Sequence, residues 1–503
     1  MLEEEALKLR FNFIILIMID TNCIFIRRKL NTLAVFTFSI SFSLALSLFA
    51  ENTLDIFAQG VDQAINNSND MIETINLRNT SGHLIHPIIT GSGNNVYVAW
   101  EEKEEKRPSG IYFKRSIDNG TTFSNSIIFP LNSSVSVGDL KMFASGNNVS
   151  IMWNNGISVK WEDGIPEINY RLTVSKSIDG GVHFSKPVDL LKKYGISNTQ
   201  EISSSENYIY VLWENQTSDQ KGRLMLSKSI DGGVNFTKPV DLKYTTSEST
   251  DVFRMAISDN NLYILGKQIN YLKQGKDALF LLKSYDGGVK FPDSWLILIN
   301  DSRIIAPEII ANDKNVYIIW KTGDFEQNQK LNFIKSINGG IDFDDPIILS
   351  YGHSSFHQLK VFEDNVYVIW SDDKRYFINN VFFKKSTDGG NTFDKTILLS
   401  NNKFYTISDD PQLDVYKKNI SVIWNLLDYT HLNIDDDVTS SILFTKSYDG
   451  GSQFSDNMLL SENNQRIGDY NVITSGDLIY IVWTFTKLGH NQINGGLNLS
   501  IIK

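Results

Sequence analysis

From about residue 73 onward the chain is a succession of short segments that are apolar at nearly every position. Asn315-Val316-Tyr317-Ile318-Ile319-Trp320 is representative. Segments of this form end at Trp100, Trp153, Trp213, Trp320, Trp370, Trp424 and Trp483, and another, Asn261 to Gly266, has Gly where Trp is expected. A strand with one wet face alternates polar and apolar residues, whereas a continuous apolar run predicts a strand covered on both faces. Sheets that each pack against two neighbours satisfy that requirement.

Between these strands a second pattern recurs, Ser-x-Asp-x-Gly-x-x-Phe. Its first copy runs from Ser116 to Phe123, with Asp118 at the third position. The same position is filled by Asp179, Asp231, Asp286, Asn338, Asp388 and Asp449, at steps of 61, 52, 55, 52, 50 and 61 residues. A period of roughly 40 to 60 residues predicts a repeat fold with one β-propeller blade per unit. One unit can be followed from Pro307 to Ser350. It contains an inner strand Pro307 to Ala311, then Asn315 to Trp320, Leu331 to Ser336, the box, and an outer strand Ile347 to Leu349. The last unit, from Tyr470 onward, supplies three strands, and Glu73 to Leu77 resembles the outer strands that follow each box. Pairing that segment with the last unit would leave no open sheet edge. The expected fold is therefore all-β: an eight-bladed β-propeller of four-stranded blades with a composite closing blade. Seven blades with an irregular terminal unit is the alternative.

The box is explained by folding needs. Paired glycines such as Gly180-Gly181 permit positive φ in a tight turn, and the Asp side chain can accept hydrogen bonds from that turn. Phe184, Phe236 and Phe393 can plug the side of a blade. Asn338 makes the same turn without charge. One carboxylate per loop falls short of a calcium site, and no metal or cofactor site is expected.

These repeats resemble the Asp-box, or bacterial neuraminidase repeat, of the sialidase superfamily, over nearly all of the chain from about residue 73 to 503. The resemblance implies a propeller, and it extends to hydrolases, receptors and other secreted proteins alike. Sialidases usually have six blades and few boxes, so this chain departs from them. A sialidase-like site would need three Arg clamping the substrate carboxylate, a Tyr nucleophile with a Glu partner, and an Asp acid/base. The Phe-Arg-Ile-Pro signature that carries the first Arg is absent, and His86-Pro87-Ile88-Ile89 stands at its place.

The termini and the charge change the picture next. Arg27-Arg28-Lys29 precedes an apolar run from Leu30 to Ala50, which reads as a secretory signal or N-terminal anchor over residues 1–50. Residues 51–72 are polar and read as a flexible linker, leaving 73–503 as the propeller. The single cysteine, Cys23, lies in the leader. Net charge is −11, or −12 once residues 1–50 are set aside, which argues against a nucleic-acid partner. Sequons such as Asn79, Asn215 and Asn498 fit an extracellular or cell-surface location. Membrane contact is expected through the N-terminal segment alone, and the propeller is expected to be monomeric.

The candidate site residues are polar positions on or near the inner strands: Asp139, Glu201, Arg254, Arg303, Glu308, His357, Asp410 and Arg466. Lys141, Lys360, Gln412 and Asp414 share those strands. Arg254, Arg303 and Arg466 are the only Arg placed for a carboxylate clamp, while Glu201 with Glu308, or Asp139 with Asp410, could pair as carboxylates. The simpler reading is a wet channel lined by polar side chains. The charge run Glu101 to Lys106 and the cluster Asp435-Asp436-Asp437 are expected in solvated loops. The function this supports is a non-catalytic binding or scaffold module for extracellular glycan or a surface protein. The alternative is a glycoside hydrolase of exo-α-sialidase type, and a purely structural envelope component is a third possibility.

Overall fold

The computed structural model describes residues 71–503 apart from 105–106, 132–136, 163–164, 191–198, 206–207, 217–221, 234, 247–251, 272–275, 293, 301–302, 324–328, 376–377, 401, 403–405, 430–438, 462–464 and 488–493. The expected leader, most of the linker and Asp435 to Asp437 lie outside the described residues. Among the described residues no helix is long and apolar enough to cross a membrane.

The described chain forms 32 strands. Six sheets have four strands each, and a seventh has eight. That larger sheet is two four-stranded antiparallel groups joined by one parallel pair, Asn379 with Ile407. Within a unit the strands follow chain order as a meander. The unit containing Trp320 runs Ile304–Asn312, Asn315–Thr322, Lys330–Ser336 and Ile347–Tyr351. The exception is the closing sheet, where Ile72–Thr80 pairs with Asn494–Ile502 beside Leu478–Lys487 and Gln465–Ser475. This is the closure expected for Glu73 to Leu77, with the strand beginning at Ile72, inside the expected linker.

The apolar strands behave as their composition demands. Val316 to Thr322 are buried without interruption, because both faces of that strand are covered. Each core cluster joins one sheet to the next. One packs Tyr263, Leu265 and Leu281 against Ile309, Ile318 and Trp320. Another packs Val98 and Trp100 of the first sheet against Tyr480, Val482 and Leu499 of the closing sheet. Sheets packed face to face in series, with the last against the first, are consistent with a β-propeller. At Gly266 the absent indole is replaced from the neighbouring strand. Phe280 is the cross-strand partner of Gly266, and a Cβ there would lie only 2.1 Å from its ring.

The boxes share one construction. The Ser hydroxyl donates to the Asp carboxylate and accepts the N–H of the second Gly; at Ser386 these bonds are 2.7 Å to Asp388 and 2.8 Å from Gly390. Asp388 also accepts the N–H of Thr392 at 2.9 Å. Asn338 makes the same set through its amide oxygen, as its type allows. In the first box Asn119 takes the place of the first Gly, at φ 57°. The box Phe wedges against the preceding unit: Phe184 meets Phe113 at 4.9 Å, Phe393 meets Phe333 at 5.0 Å and Phe454 meets Phe383 at 4.9 Å.

A feature not anticipated is the cation before each box Ser. In the first six boxes it reaches forward to a carbonyl of the next box, whereas Lys446, before the last box Ser, turns to the Tyr448 hydroxyl of its own box. Arg115 donates to Gly180 at 3.1 Å, Lys228 to Gly287 at 2.8 Å, Lys283 to Gly340 at 2.9 Å, Lys335 to Gly389 at 3.2 Å and Lys385 to Gly450 at 3.0 Å. Lys176 makes the same bond to Asp231. Successive boxes are thereby strapped into one continuous rim.

One expectation is overturned. Glu101 and Glu102 are not in a solvated loop; they lie in strand Asn95–Glu104 and are 0% and 1% exposed. Buried carboxylates need partners. Arg78, from the closing strand, grips Glu102 with bonds of 2.6 to 3.1 Å, and Glu101 accepts the N–H of Val137 at 3.2 Å.

Candidate functional site

The inner strand of each unit is an edge, apart from the single parallel pair at Ile407, so most of its outward N–H groups have no strand to pair with. One register position recurs along these edges. Ile88, Lys141, Glu201, Arg254, Glu308, Gln358, Gln412 and Asn471 each pair with the residue just before the conserved-position Trp, or before Gly266 in the fourth unit. They form a belt at one level. Several of them cap the edge of the next sheet. Glu308 accepts the N–H of Leu359 at 3.2 Å, Gln358 that of Leu413 at 2.6 Å and Asn471 that of Ile89 at 3.4 Å. Gln412 donates to the carbonyl of Tyr470 at 2.9 Å.

The charged part of the belt is consecutive. Arg254 stands 3.6 Å from Glu201 and donates to the carbonyl of Phe253 at 2.9 Å. Glu308 is pushed up to about 7 by burial, against the lowering effects of the Leu359 N–H and of Arg254 and Lys360. Beside it, His357 is buried and pushed down to about 4, by burial and by the charge of Lys321. Neutral at pH 7, it donates through Nε2 to the carbonyl of Ala306 at 2.8 Å, so its 3.8 Å approach to Glu308 is not an ion pair. Two residues along the same strands, Lys360 lies 3.5 Å from Asp414, which accepts the N–H of Thr474 at 2.5 Å.

Before the belt the inner strands bulge. His86, Ala306 and Asp410 have φ of 53°, 47° and 49°, and Pro87, Pro307 and Pro411 follow them. A bulge leaves an unpaired position where Pro loses nothing. Side chains converge there. Asp469 accepts the N–H of His86 at 2.8 Å, and His86 Nδ1 lies 3.5 Å from Glu101. His86 is raised, chiefly by that contact with Glu101. Tyr470 donates to the carbonyls of Asp409 at 3.2 Å and Asp410 at 2.5 Å. Asp410 is pushed up to about 6 by burial and by the charges of Asp409 and Asp469. Among the described residues no cluster of three His, Cys, Asp or Glu is arranged to hold a metal ion.

The sequence-derived candidates thus fall at different levels. Glu201, Arg254 and Glu308 share the belt, His357 supports it, and Asp410 sits on the bulge. Asp139 belongs to strand Val137–Ser145, and its side chain lies outside the described residues. Arg303 immediately precedes Ile304–Asn312, and Arg466 is inside Gln465–Ser475, opposite Thr486, rather than ahead of it. Both stand seventeen positions before their Trp, whereas Arg254 stands twelve before Gly266. The bulge absorbs one of the five residues of difference, since Arg466 lies opposite Thr486 and Asn471 opposite Val482; the remaining four correspond to roughly 13 Å, so the three guanidinium groups start from two separate levels. Sequence reading missed Ile88, Gln358 and Asn471, although a fixed count back from each Trp picks them out.

No family model and no curated protein matches the chain. Among solved structures it is similar to the polysaccharide lyase Uly1, at 12% identity over 82% of this chain and 89% of that one, with a TM-score of 0.49. It is also similar to a PL25 ulvan lyase, at 11% identity over 82% and 91%, with a TM-score of 0.41. The endosialidase of phage phi92 matches at 10% identity over 86% and 69%, with a TM-score of 0.38.

Proposed function

We propose that this chain is an exported or surface-anchored eight-bladed propeller of the sialidase-like Asp-box kind, acting as a non-catalytic binding or scaffold module for a glycan or a protein. In this reading residues 1–50 are a signal or anchor, the polar stretch after them is a linker, and the strands from Ile72 onward make the disc. The observation that carries it is the use of the belt. Side chains at the register where a propeller presents its channel are tied to the edges of neighbouring sheets, through Glu308, Gln358, Gln412 and Asn471. Arg254 is held by Glu201. Groups committed in this way build a rigid polar lining, and a fold alone supplies no chemistry.

A second reading, an exo-acting glycoside hydrolase, is favoured by Glu308 near 7 and Asp410 near 6. A carboxyl group still protonated near neutrality is what a general acid requires. The test is incubation of the purified protein with a broad glycan panel, sialosides included, followed by mass spectrometry of released sugar. Release that is lost in Glu308→Gln or Arg254→Ala would replace the binding reading with the hydrolytic one. Retention of a glycan without release would support the binding reading.

A further inference from the structure

The outer strand of the closing sheet differs from the other outer strands in length. Ile72–Thr80 has 9 residues, whereas the outer strands of the other units have between 2, as in Ile397–Leu398, and 7, as in Ser294–Asn300. It stands at the end of its sheet, so one side of its backbone faces no further strand. Its charges guard that side weakly. Glu73 is its one acid, and its one cation, Arg78, is turned to Glu102. A long edge rich in Ile, Thr and Asn is a template for pairing with another chain unless something blocks it.

The same strand leads into a sequon, Asn79-Thr80-Ser81. Sequons arise by chance in a chain with this much Asn, so the fold decides which of them can be used. A usable one needs an Asn that projects into solvent, because the sugar is bulky, and an accessible hydroxyl at its third residue. Most described sequons fail. Behind Asn148, Asn419 and Asn498 the third residues Ser150, Ser421 and Ser500 are 3%, 0% and 0% exposed. The Asn235 amide donates to Asp231 at 2.9 Å inside its box turn. In Asn119-Gly120-Thr121 the Thr121 hydroxyl donates to the Asp118 carbonyl at 2.8 Å, and Asn119 is held at φ 57° with its N–H on the Asn94 carbonyl. Asn79 and Ser81 are both exposed, and among the described residues no other side chain or backbone group engages either of them. Across the ladder from Asn79 stands Gly496, which presents no side chain.

We propose that Asn79 is the acceptor of an N-linked glycan, and that this glycan shields the outer edge of the closing sheet. The proposal rests on the exported reading, because the sugar donor is an oligosaccharide linked to a polyprenyl phosphate in a membrane. In the transfer, Asn79 Nδ2 forms a bond to C1 of the first sugar and the bond from C1 to the phosphate oxygen breaks. The lipid phosphate leaves with that electron pair, and one amide proton passes to water. Bulky and hydrophilic, the attached sugar sits beside the unpaired backbone groups of Ile72–Thr80 and keeps a second strand from approaching. It is a covalent part of the chain, separate from any glycan the protein binds.

The test uses the full chain purified from the cells that make it, with cytosol separated from membrane and medium. Its peptides are mapped by mass spectrometry with electron-transfer fragmentation, which leaves added sugar on its Asn. Occupancy at Asn79 is expected to be at least about tenfold above that at Asn148, Asn419 or Asn498. Ser81→Ala, which keeps Asn79 and removes the hydroxyl, should abolish it, and Ser81→Thr should retain it. The Ser81→Ala chain should also self-associate at concentrations at least about threefold lower, as read by light scattering. An exported chain with no sugar on Asn79 overturns the proposal and leaves the exported reading standing. A chain confined to the cytosol overturns both. Occupancy as high at Asn498 as at Asn79 overturns the choice that the fold makes among sequons. Sugar on Asn79 with unchanged self-association of Ser81→Ala overturns the shielding and supports the modification.

Discussion

At the box rim, turn after turn repeats one set of hydrogen bonds nearly atom for atom, while at the inner edge the register-equivalent residues share a position and little else. Ser386, Asp388 and Gly390 could stand for any other box. Lys141, Glu308 and Ile88 could not exchange places without leaving an N–H uncapped or a charge unpaired. The rim is constrained by a single local turn. The edge is constrained only by its neighbours on the next sheet, so each residue there solves a different problem. Repetition therefore marks what holds the units together, and variation marks where the units differ in what they present.

The comparison breaks most sharply where the rim has no room. Gly390 has φ 82°, and a Cβ there would meet the Phe333 ring at 2.7 Å. Gly390→Val is expected to destabilise the protein by about 3 kcal/mol or more, combining backbone strain with overpacking, as read by thermal unfolding. Ser386→Ala leaves the Gly390 N–H without its partner and removes one of the two donors to Asp388 Oδ1. It should cost about 1 to 3 kcal/mol in a denaturant titration.

Acidity separates the two regions by sign. Asp118 in the first box is lowered to about 2, chiefly by the Ser116 hydroxyl and then by Thr122. Its contribution is present above an unfolded value of about 3.9 and is lost as pH falls through about 2. Glu308 is raised to about 7, so its contribution is complete below an unfolded value of about 4.3 and is lost as pH rises toward 7. Asp410, near 6, and the raised His86 act in the same direction as Glu308. His357, lowered to about 4, acts oppositely and raises stability with pH up to its unfolded value of about 6.5. The slope of urea midpoint against pH between about 4.5 and 7.5 is therefore a sum of both signs, and Glu308→Gln should shift that slope toward stability that rises with pH. An unchanged slope would mean that Glu308 titrates normally.

The smallest effect is expected at Arg254. Its pairing with Glu201 is half-exposed, and Arg254→Ala should change stability by no more than about 1 kcal/mol. A larger loss would show that the belt acts as a connected unit and not as separate caps.

What could be read from the chain follows the same division. The strands ending in Trp, the boxes and the closing role of Glu73 to Leu77 were legible because each is a local pattern or a copy of one. Glu101 and Glu102 were misread because a run of charges looks solvated. The Arg78 that pairs with Glu102 belongs to another sheet, and nothing nearby in sequence announces it. The cation before each box Ser was visible in every copy, yet for the first six its partner lies one whole unit further on. His357 was legible as a polar residue on an inner strand. That it reaches back to Ala306 depends on how adjacent sheets face each other.

The pairing of Ile72–Thr80 with Asn494–Ile502 also bears on how the molecule is made. Thr74 and Ser500 share a hydroxyl hydrogen bond of 2.6 Å across nearly the whole length of the fold. On the ribosome, Ile72–Thr80 must wait for Asn494–Ile502 to be made, while the sheets between them assemble as an open arc. Closing a loop of that size adds only slowly to the entropic cost, but the arc exposes two bare flanks until Asn494–Ile502 has been made. Nascent-chain capture by chaperones, and assembly errors in which the first strand of one molecule completes another, should concentrate in that interval.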